Sequence, residues 1–354
     1  MFAYLRKILY FYPKIKIYNR RFMQDFVHLH VHTQYSLLDG QASIQRLVDK
    51  AIQNCMRGMA ITDHGNMMGV KELYNYTNKK NAPVQNEIKE LKKKLKELEN
   101  QPEGSASQEQ GTETVEGIRQ AIQEAERRIF KPIFGCEMYV AERSLYDKTK
   151  ELDSTRYHLV VLAKNATGYH NLIKLVSRSW VDGFYNRPRT DHNDLERFHE
   201  GLIVCSACIA GEVPRKILAG QMEAAEKTIQ WYKNLFGEDY YLELQRHEVK
   251  DPMQRANRET FPLQQRVNAE LIRLAEKYDV KLVCTNDVHF VDEENADAHE
   301  ILLCLSTGKK LEEPHMLYSK QEWFKTRAEM NDVFQDIPEA LSNTLEILDK
   351  TEPY

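Results

Sequence analysis

The chain contains no run of about 18 or more uncharged apolar residues, so no membrane span is read from it. It also has little net charge, −4 at pH 7, and nothing in that balance calls for a polyanion. A face for nucleic acid would therefore have to be local. Cysteines are few and unframed. The six (Cys55, Cys136, Cys205, Cys208, Cys284, Cys304) sit mostly in apolar strand-like runs, as expected of reduced thiols in a cytoplasmic protein, with metal binding open to one or two. Residues 1–22 lack the unbroken apolar centre of a signal peptide, because Lys7, Lys14 and Lys16 interrupt it. What remains is the composition of a soluble globular protein, 42% hydrophobic and 29% charged, and 354 residues suit one α/β barrel or two smaller units.

Against that plain background, residues 26–40 stand out. His28, His30 and His32 alternate with Val27, Leu29 and Val31. A period of two is the side-chain period of a β-strand, so the spacing predicts three imidazoles on one face and aliphatics on the other. Burying three unpaired imidazoles is costly, whereas a divalent metal takes neutral imidazole as a ligand. The competing reading is a solvated edge strand. Further histidines and acids follow later strand-like runs, in Thr62-Asp63-His64-Gly65, Gly135-Cys136-Glu137 and Asn286-Asp287-Val288-His289.

Strand-like runs at Met59–Thr62, Lys131–Val140, His158–Ala163, Leu202–Ser206, Tyr240–Leu244 and Lys281–Thr285 join the first strand to make seven. Helical spacing appears between several of them, at Ala42–Met56, Ala224–Phe236 and Phe261–Tyr278. This alternation predicts a parallel α/β arrangement, with polar motifs gathered on the rim where strands end. Between residues 84 and 128, Ile88, Leu91, Leu95 and Leu98 face Val115, Ile118, Ile122, Ala125 and Ile129 across a flexible polar stretch. That pattern predicts an inserted antiparallel helical hairpin, read as a partner-binding arm or as a solvated insertion whose helices pair with each other.

The phrases HLHVHTQYSLLDG, AITDHGNMMGV, KPIFGCEMYVA, HLVVLAKN, GFYNRPRTD, YYLELQRH, CTNDVHF and DIPEALSNTLEI resemble, in order, the PHP (polymerase and histidinol phosphatase) domain. The wording is closest to the N-terminal PHP domain of bacterial DNA polymerase III alpha subunits. The resemblance implies a distorted seven-stranded (β/α)7 barrel spanning residues 24–354, with residues 1–23 as an extension and helices from 297 to 354 leading toward a polymerase palm. No Asp-x-Asp motif occurs, so the chain reads as an excised domain without nucleotide addition of its own.

The same resemblance implies nine candidate metal ligands: His30, His32, Asp39, His64, Glu137, His158, Cys208, Asp287 and His289. His30, His32, Glu137, Asp287 and His289 would form the catalytic core, and Glu137 would bridge two ions. His158 starts its strand, which leaves its reach to the rim open, and Cys208 has the rival reading of a small buried hydrophobe. Nine ligands exceed the usual four of one zinc and suit two or three divalent ions, zinc favoured over manganese or iron. His28 and Asp63 are expected just behind the ligands. Tyr185, Arg187, Arg189, Arg246 and His247 are the candidates for gripping substrate, with surface salt-bridging as their alternative. His170, His192, His199, His299 and His315 read as surface or ordinary packing.

Three functions stay open. One is a metal-dependent 3′–5′ exonuclease that proofreads single-stranded DNA ends, partnered by the rest of the polymerase chain and other replisome subunits. The second is a metal-binding scaffold without turnover, and the third is a phosphatase for a small phosphomonoester.

Overall fold

Short, mostly buried runs form seven strands: β1 (Gly58–Ile61), β2 (Lys131–Ala141), β3 (Arg156–Ala163), β4 (Arg189–Thr190), β5 (Leu202–Cys205), β6 (Tyr240–Gln245) and β7 (Lys281–Thr285). They form one curled sheet in the order β1-β2-β3-β5-β6-β7, with the two-residue β4 attached to β2. The computed structural model describes residues 23–37, 39–100, 114–313 and 318–353. The expected extension at 1–22, the stretch 101–113 and His315 lie outside the described residues.

The sheet is not wholly parallel, as the alternation had predicted. β3 runs antiparallel to both β2 and β5, while the pairs β1–β2, β5–β6 and β6–β7 are parallel. The physical reason lies in the connection. Between β2 and β3 the chain forms only a one-turn helix, Lys150–Asp153, too short for the crossover that a parallel pair requires. Reversal also explains His158. Although it comes early in its strand, it reaches the rim where the parallel strands end, and it bridges Gly211 there.

The histidine-rich segment is the second departure. Residues 26–32 are extended but form only one ladder bridge, Val31 with Val288. They nonetheless span the open side of the sheet. Ala60 N–H and Thr62 N–H donate to His28 O and Val31 O, while on the other side Val288 N–H donates to His30 O and His32 N–H to Val288 O. Ala60 and Thr62 are two residues apart, yet their acceptors are three apart. The segment thus carries one extra residue, as in a β-bulge, and its side chains change faces. Val27 and Leu29 pack in the apolar cluster inside the curl with Ala60, Ile133, Val160, Leu162, Ile203 and Val283. Val31 packs outside with the helices. His28 accordingly points away from His30 and His32, and the expectation of three imidazoles on one face is corrected.

Helices cover the outer face of the sheet. Ile44–Gln53 is started by the Ser43 side chain, which accepts from Arg46 N–H, and buries Ile44, Leu47, Val48 and Ala51. Phe261–Tyr278 buries Val267, Leu271 and Leu274 against the same layer. The last helix, Pro338–Lys350, closes one end of the curl with Ile347 and Leu348.

The hairpin is present, but its first arm is no separate helix. It continues the helix Val70–Glu99, with Pro83 inside, and returns as Val115–Arg127. The arms are antiparallel, cross-linked by Glu87–Arg128, Lys92–Glu126 and Glu99–Arg119 ion pairs. At its base Asn81 is clamped to the backbone of Phe130 in both directions, at 2.8 and 2.9 Å.

Candidate metal centre

The strand ends bring eight of the nine candidate ligands into one set of close contacts, and the ninth, Cys208, to its margin. Glu137 lies at the middle. Its Oε1 is 3.2 Å from His30 Nε2 and 2.8 Å from His158 Nδ1, and its Oε2 is 2.6 Å from His64 Nδ1. Asp287 Oδ1 is 3.3 Å from His30 Nε2 and 3.2 Å from His32 Nε2. Asp39 Oδ2 is 2.9 Å from His64 Nε2. Three groups of potential ligand atoms lie within 4.8 Å of one another: His32/His64/His289, His30/His32/Glu137 and His64/Glu137/His158. Cys208 Sγ stands at 3.8 Å from His158 Nδ1, and burial, with the Glu137 and Asp287 charges, pushes its thiol up.

The tautomers of the central histidines follow from their second contacts. His30 Nδ1 is 2.7 Å from the Glu243 carboxylate, which only accepts, so Nδ1 carries a proton and Nε2 is the nitrogen left to face a metal. The Ser36 hydroxyl donates to Asp63, so the His32 Nδ1–H donates to Ser36 Oγ at 2.9 Å and its Nε2 is likewise free. His289 Nδ1–H donates to Asp287 O at 2.8 Å. Asp63 itself is fixed by Thr33 N–H and Thr33 Oγ1–H, so it acts on His32 through Ser36.

Without cations, this concentration of charge is poorly satisfied. Burial pulls the His30 imidazole down, but the Asp287, Glu243 and Glu137 carboxylates outweigh it and raise it well above its ordinary value. Burial, then the charges of His64 and His289, lower His32 to about 3. Burial would raise the Glu137 carboxyl, yet the surrounding His158, His64 and His30 hold it well below the usual range. Asp287 is held down in the same way by His30, His32 and His289. His30 Nε2, His32 Nε2, His64 Nδ1, Glu137 Oε2 and Asp287 Oδ1 are buried and crowd one another without a well-aligned hydrogen bond. Such orphaned atoms are rare in proteins, and imidazole and carboxylate donors aimed at each other are the chemistry a divalent metal satisfies. The residues fit the group.

Several sequence expectations need correction. His28 Nε2 bonds Lys325 O at 2.8 Å and its ring packs against Phe26 and Phe324, so it touches no candidate ligand. Arg189 is buried, and its guanidinium donates to the carbonyls of Gly183, Asp153, Leu145 and Asp147; it ties a loop together and is shielded from substrate. Arg246 is committed to Asp336 and to Val333 O. His247 is buried between Gln264, Asn286 O and Glu322. Tyr185 has Arg189 over its ring, and Arg187 remains exposed at the rim.

Four contributors escaped the sequence reading. Glu243 and Ser36 orient His30 and His32. An acid on an alternate position of the apolar run Tyr-Tyr-Leu-Glu-Leu-Gln was a signal for the first. His299, expected to be ordinary packing, is buried beside the site with its Nε2 2.8 Å from Asp39 O. Tyr318 OH lies 3.2 Å from His289 Nε2.

A model of the PHP domain matches residues 28–247. The chain belongs to the PHP-domain family. This PHP chain is also 38% identical over 336 residues to DNA polymerase III subunit alpha of Borreliella burgdorferi, covering 94% of the chain and 24% of that relative. The corresponding subunit of Treponema pallidum is 36% identical over 91% of the chain and 23% of its own length. That of Thermus aquaticus is 33% identical over 91% and 22%. The chain thus spans about a quarter of the length of these relatives. Among the described residues, no helix is long and apolar enough to cross a membrane.

Proposed function

We propose that this PHP chain is the metal-dependent phosphoesterase domain of a replicative DNA polymerase III alpha subunit, removing nucleotides from single-stranded 3′ ends. The observation that carries the reading is the row of buried, unpartnered donor atoms centred on Glu137. His30, His32, Glu137 and Asp287 would hold one ion, and His64, His158 and Asp39 would hold a second that shares Glu137. His289 and Cys208 would complete the set, with zinc favoured by the imidazole-rich donors. Divalent ions held there supply Lewis acidity toward a phosphoryl group.

The protein's own part is orientation. Glu243 and Ser36 fix two imidazoles with their lone pairs inward, and the rim stays partly open, with side chains of His64, Asp39 and His158 at 16%, 17% and 21% exposure. That opening favours turnover over a purely structural site, which has no use for a solvent-facing ligand. The partners consistent with the relatives are the remainder of the polymerase chain and other replisome subunits, in the cytoplasm.

The test is to assay the metal-loaded protein on a single-stranded oligonucleotide and on a small phosphomonoester. Chelator-sensitive release of nucleotides from the 3′ end is expected. Hydrolysis of the monoester alone would identify a small-molecule phosphatase, and a metal-replete protein inert on both would identify a scaffold.

A further inference from the structure

Beside the His64–His158 edge of the centre lies a patch that the reading above does not use. Trp180 and Phe184 are 45% and 44% exposed and stack on each other, ring centroids 5.6 Å apart at 25°. Large exposed aromatics that cluster call for an explanation in a way that single ones do not. The indole is anchored: Trp180 Nε1–H donates to Gly65 O at 2.8 Å, one residue beyond His64. Gly65 has φ +61°, and Pro188 and Tyr139 pack so closely on it that a Cβ would meet Pro188 Cγ at 2.7 Å. Tyr139 in turn stacks on His64 and meets His158 edge-on at 5.2 Å. A continuous chain of contacts therefore links the aromatic pair to the candidate ligands.

Two arginines lie close to Tyr139. Arg156 lies 5.9 Å from the Tyr139 ring centroid, and the Arg187 charge acts on the Tyr139 hydroxyl. Among the described residues neither guanidinium forms an ion pair; each has only a weak contact to a nearby carbonyl, Ser154 O at 3.3 Å and Asn186 O at 3.5 Å. Neighbouring Arg143 and Arg178 are committed to Asp153 and Asp194. In a chain of net charge −4, two guanidiniums without ion pairs near Tyr139, joined through it and Gly65 to exposed aromatics, match a ligand with both phosphates and flat bases. A groove of about 490 Å³ lined by Trp180 with Asn66, Met67, Met68, Val176 and Val181 adds to the apolar surface.

We propose that Trp180 and Phe184 form a stacking platform for the bases of a single-stranded polynucleotide, with Arg187 and Arg156 gripping its phosphates so that the strand end reaches the metal centre. The inference rests on the phosphodiesterase reading for its direction, and on the platform's own geometry for its site. Stacking on aromatics is tolerant of sequence, because every base has a π-face, and suits an activity that must accept any terminal nucleotide.

The experiment measures binding separately from hydrolysis. A dye-labelled oligothymidylate with a hydrolysis-resistant backbone is titrated with the full metal-loaded chain, and KM and kcat are measured on the unmodified strand. Trp180→Ala should weaken binding roughly tenfold or more, as expected for loss of one stacked base. It should raise KM while leaving kcat and metal content near parental values, and Trp180→Phe should recover most of the loss. Arg187→Ala should weaken binding and make it less steep with salt. If the parent degrades single-stranded DNA and Trp180→Ala binds equally well, the platform is overturned while the exonuclease reading stands. If the parent binds but never cleaves, and Trp180→Ala releases the strand, the platform stands and the exonuclease reading falls. A parent that binds no oligothymidylate overturns the platform outright, as would self-association abolished by Trp180→Ala in place of DNA binding.

Discussion

His30 Nδ1 and Glu243 Oε1, 213 residues apart in the chain, meet at 2.7 Å inside the curled sheet. Oε1 also accepts from Thr285 Oγ1–H at 2.5 Å and from Gln245 Nε2–H at 3.0 Å, so the carboxylate is itself held in place. This is the arrangement that fixes the tautomer and ring angle of a metal-binding histidine. Glu243→Gln keeps the size but lets the amide present a donor to Nδ1. Zinc affinity, measured by chelator competition, should fall about ten- to a hundredfold with the fold unchanged by circular dichroism. An affinity equal to that of the parent would show that His30 needs no such support.

Glu137 and His28 should separate cleanly. Glu137 contacts His30, His64 and His158, so Glu137→Ala should lower the metal stoichiometry measured by elemental analysis. His28 contacts Phe26, Phe324 and Lys325 O, away from the candidate ligands. His28→Ala should keep full metal content and lose on the order of 2 kcal/mol of stability through the cavity left behind. Loss of metal in both variants would contradict the change of face between Leu29 and His30.

The ligand types were legible in the sequence because each sits in a short polar motif at a strand end, and because a known family's wording surrounds them. What was not legible is where pairing, not pattern, decides. The extra residue between His28 and Val31 leaves the alternation of the letters untouched; it appears only in which carbonyls Ala60 and Thr62 choose. The reversal of β3 has no periodic signature either, so His158 looked misplaced until its neighbours' directions were known. Arg189, Arg246 and His247 misled for a third reason. A cation in a loop motif looks the same whether it faces a phosphate or a backbone carbonyl, and only the fold supplied Gly183 O, Asp336 and Gln264 as their partners.

A stabilising carboxylate outside the centre makes a pH prediction. Glu212 is buried against His192, Lys216 and Tyr232. Burial alone would raise it, but His192 and Lys216 bring it from 4.5 to about 2. A depressed folded value means that its contribution is present above about 4.5 and is lost as pH falls toward 2. Glu212→Gln should therefore cost on the order of 2–3 kcal/mol near neutrality, and the difference from the parent should shrink through that acid window. Urea melts at several pH values read this directly; a gap that does not change with pH would contradict it.

The hairpin beyond the Asn81–Phe130 clamp supplies no candidate ligand, and its buried residues Ile118, Ile122 and Ala125 lie on the returning arm. Replacing residues 86–127 by a short flexible link should leave metal content unchanged and the melting temperature within a few degrees. A large drop would show that the arms stabilise the sheet.

Asp287 gives the sharpest chemical test. It occupies the left-handed region, φ 47°, a conformation that non-glycine residues adopt at some cost and that Asn tolerates as well as Asp. Its position is set from both sides: Asn286 Nδ2–H donates to Gln321 O and Trp323 O, and Val288 pairs with His30 and His32. Asp287→Asn therefore retains the backbone and the volume and removes only the negative charge that lies 3.3 Å from His30 Nε2 and 3.2 Å from His32 Nε2. The fold should survive, metal affinity should weaken, and release of nucleotides from a 3′ end should fall on the order of a hundredfold or more. The loss should appear in kcat if Asp287 holds ions, as proposed above, since a change in metal binding alters the chemical step more than the grip on the strand. Digestion that persists in Asp287→Asn, or that resists chelators in the parent, would place the hydrolysis outside this centre. A variant that keeps its metal and loses only affinity for the strand would move Asp287 from holding ions to contacting substrate.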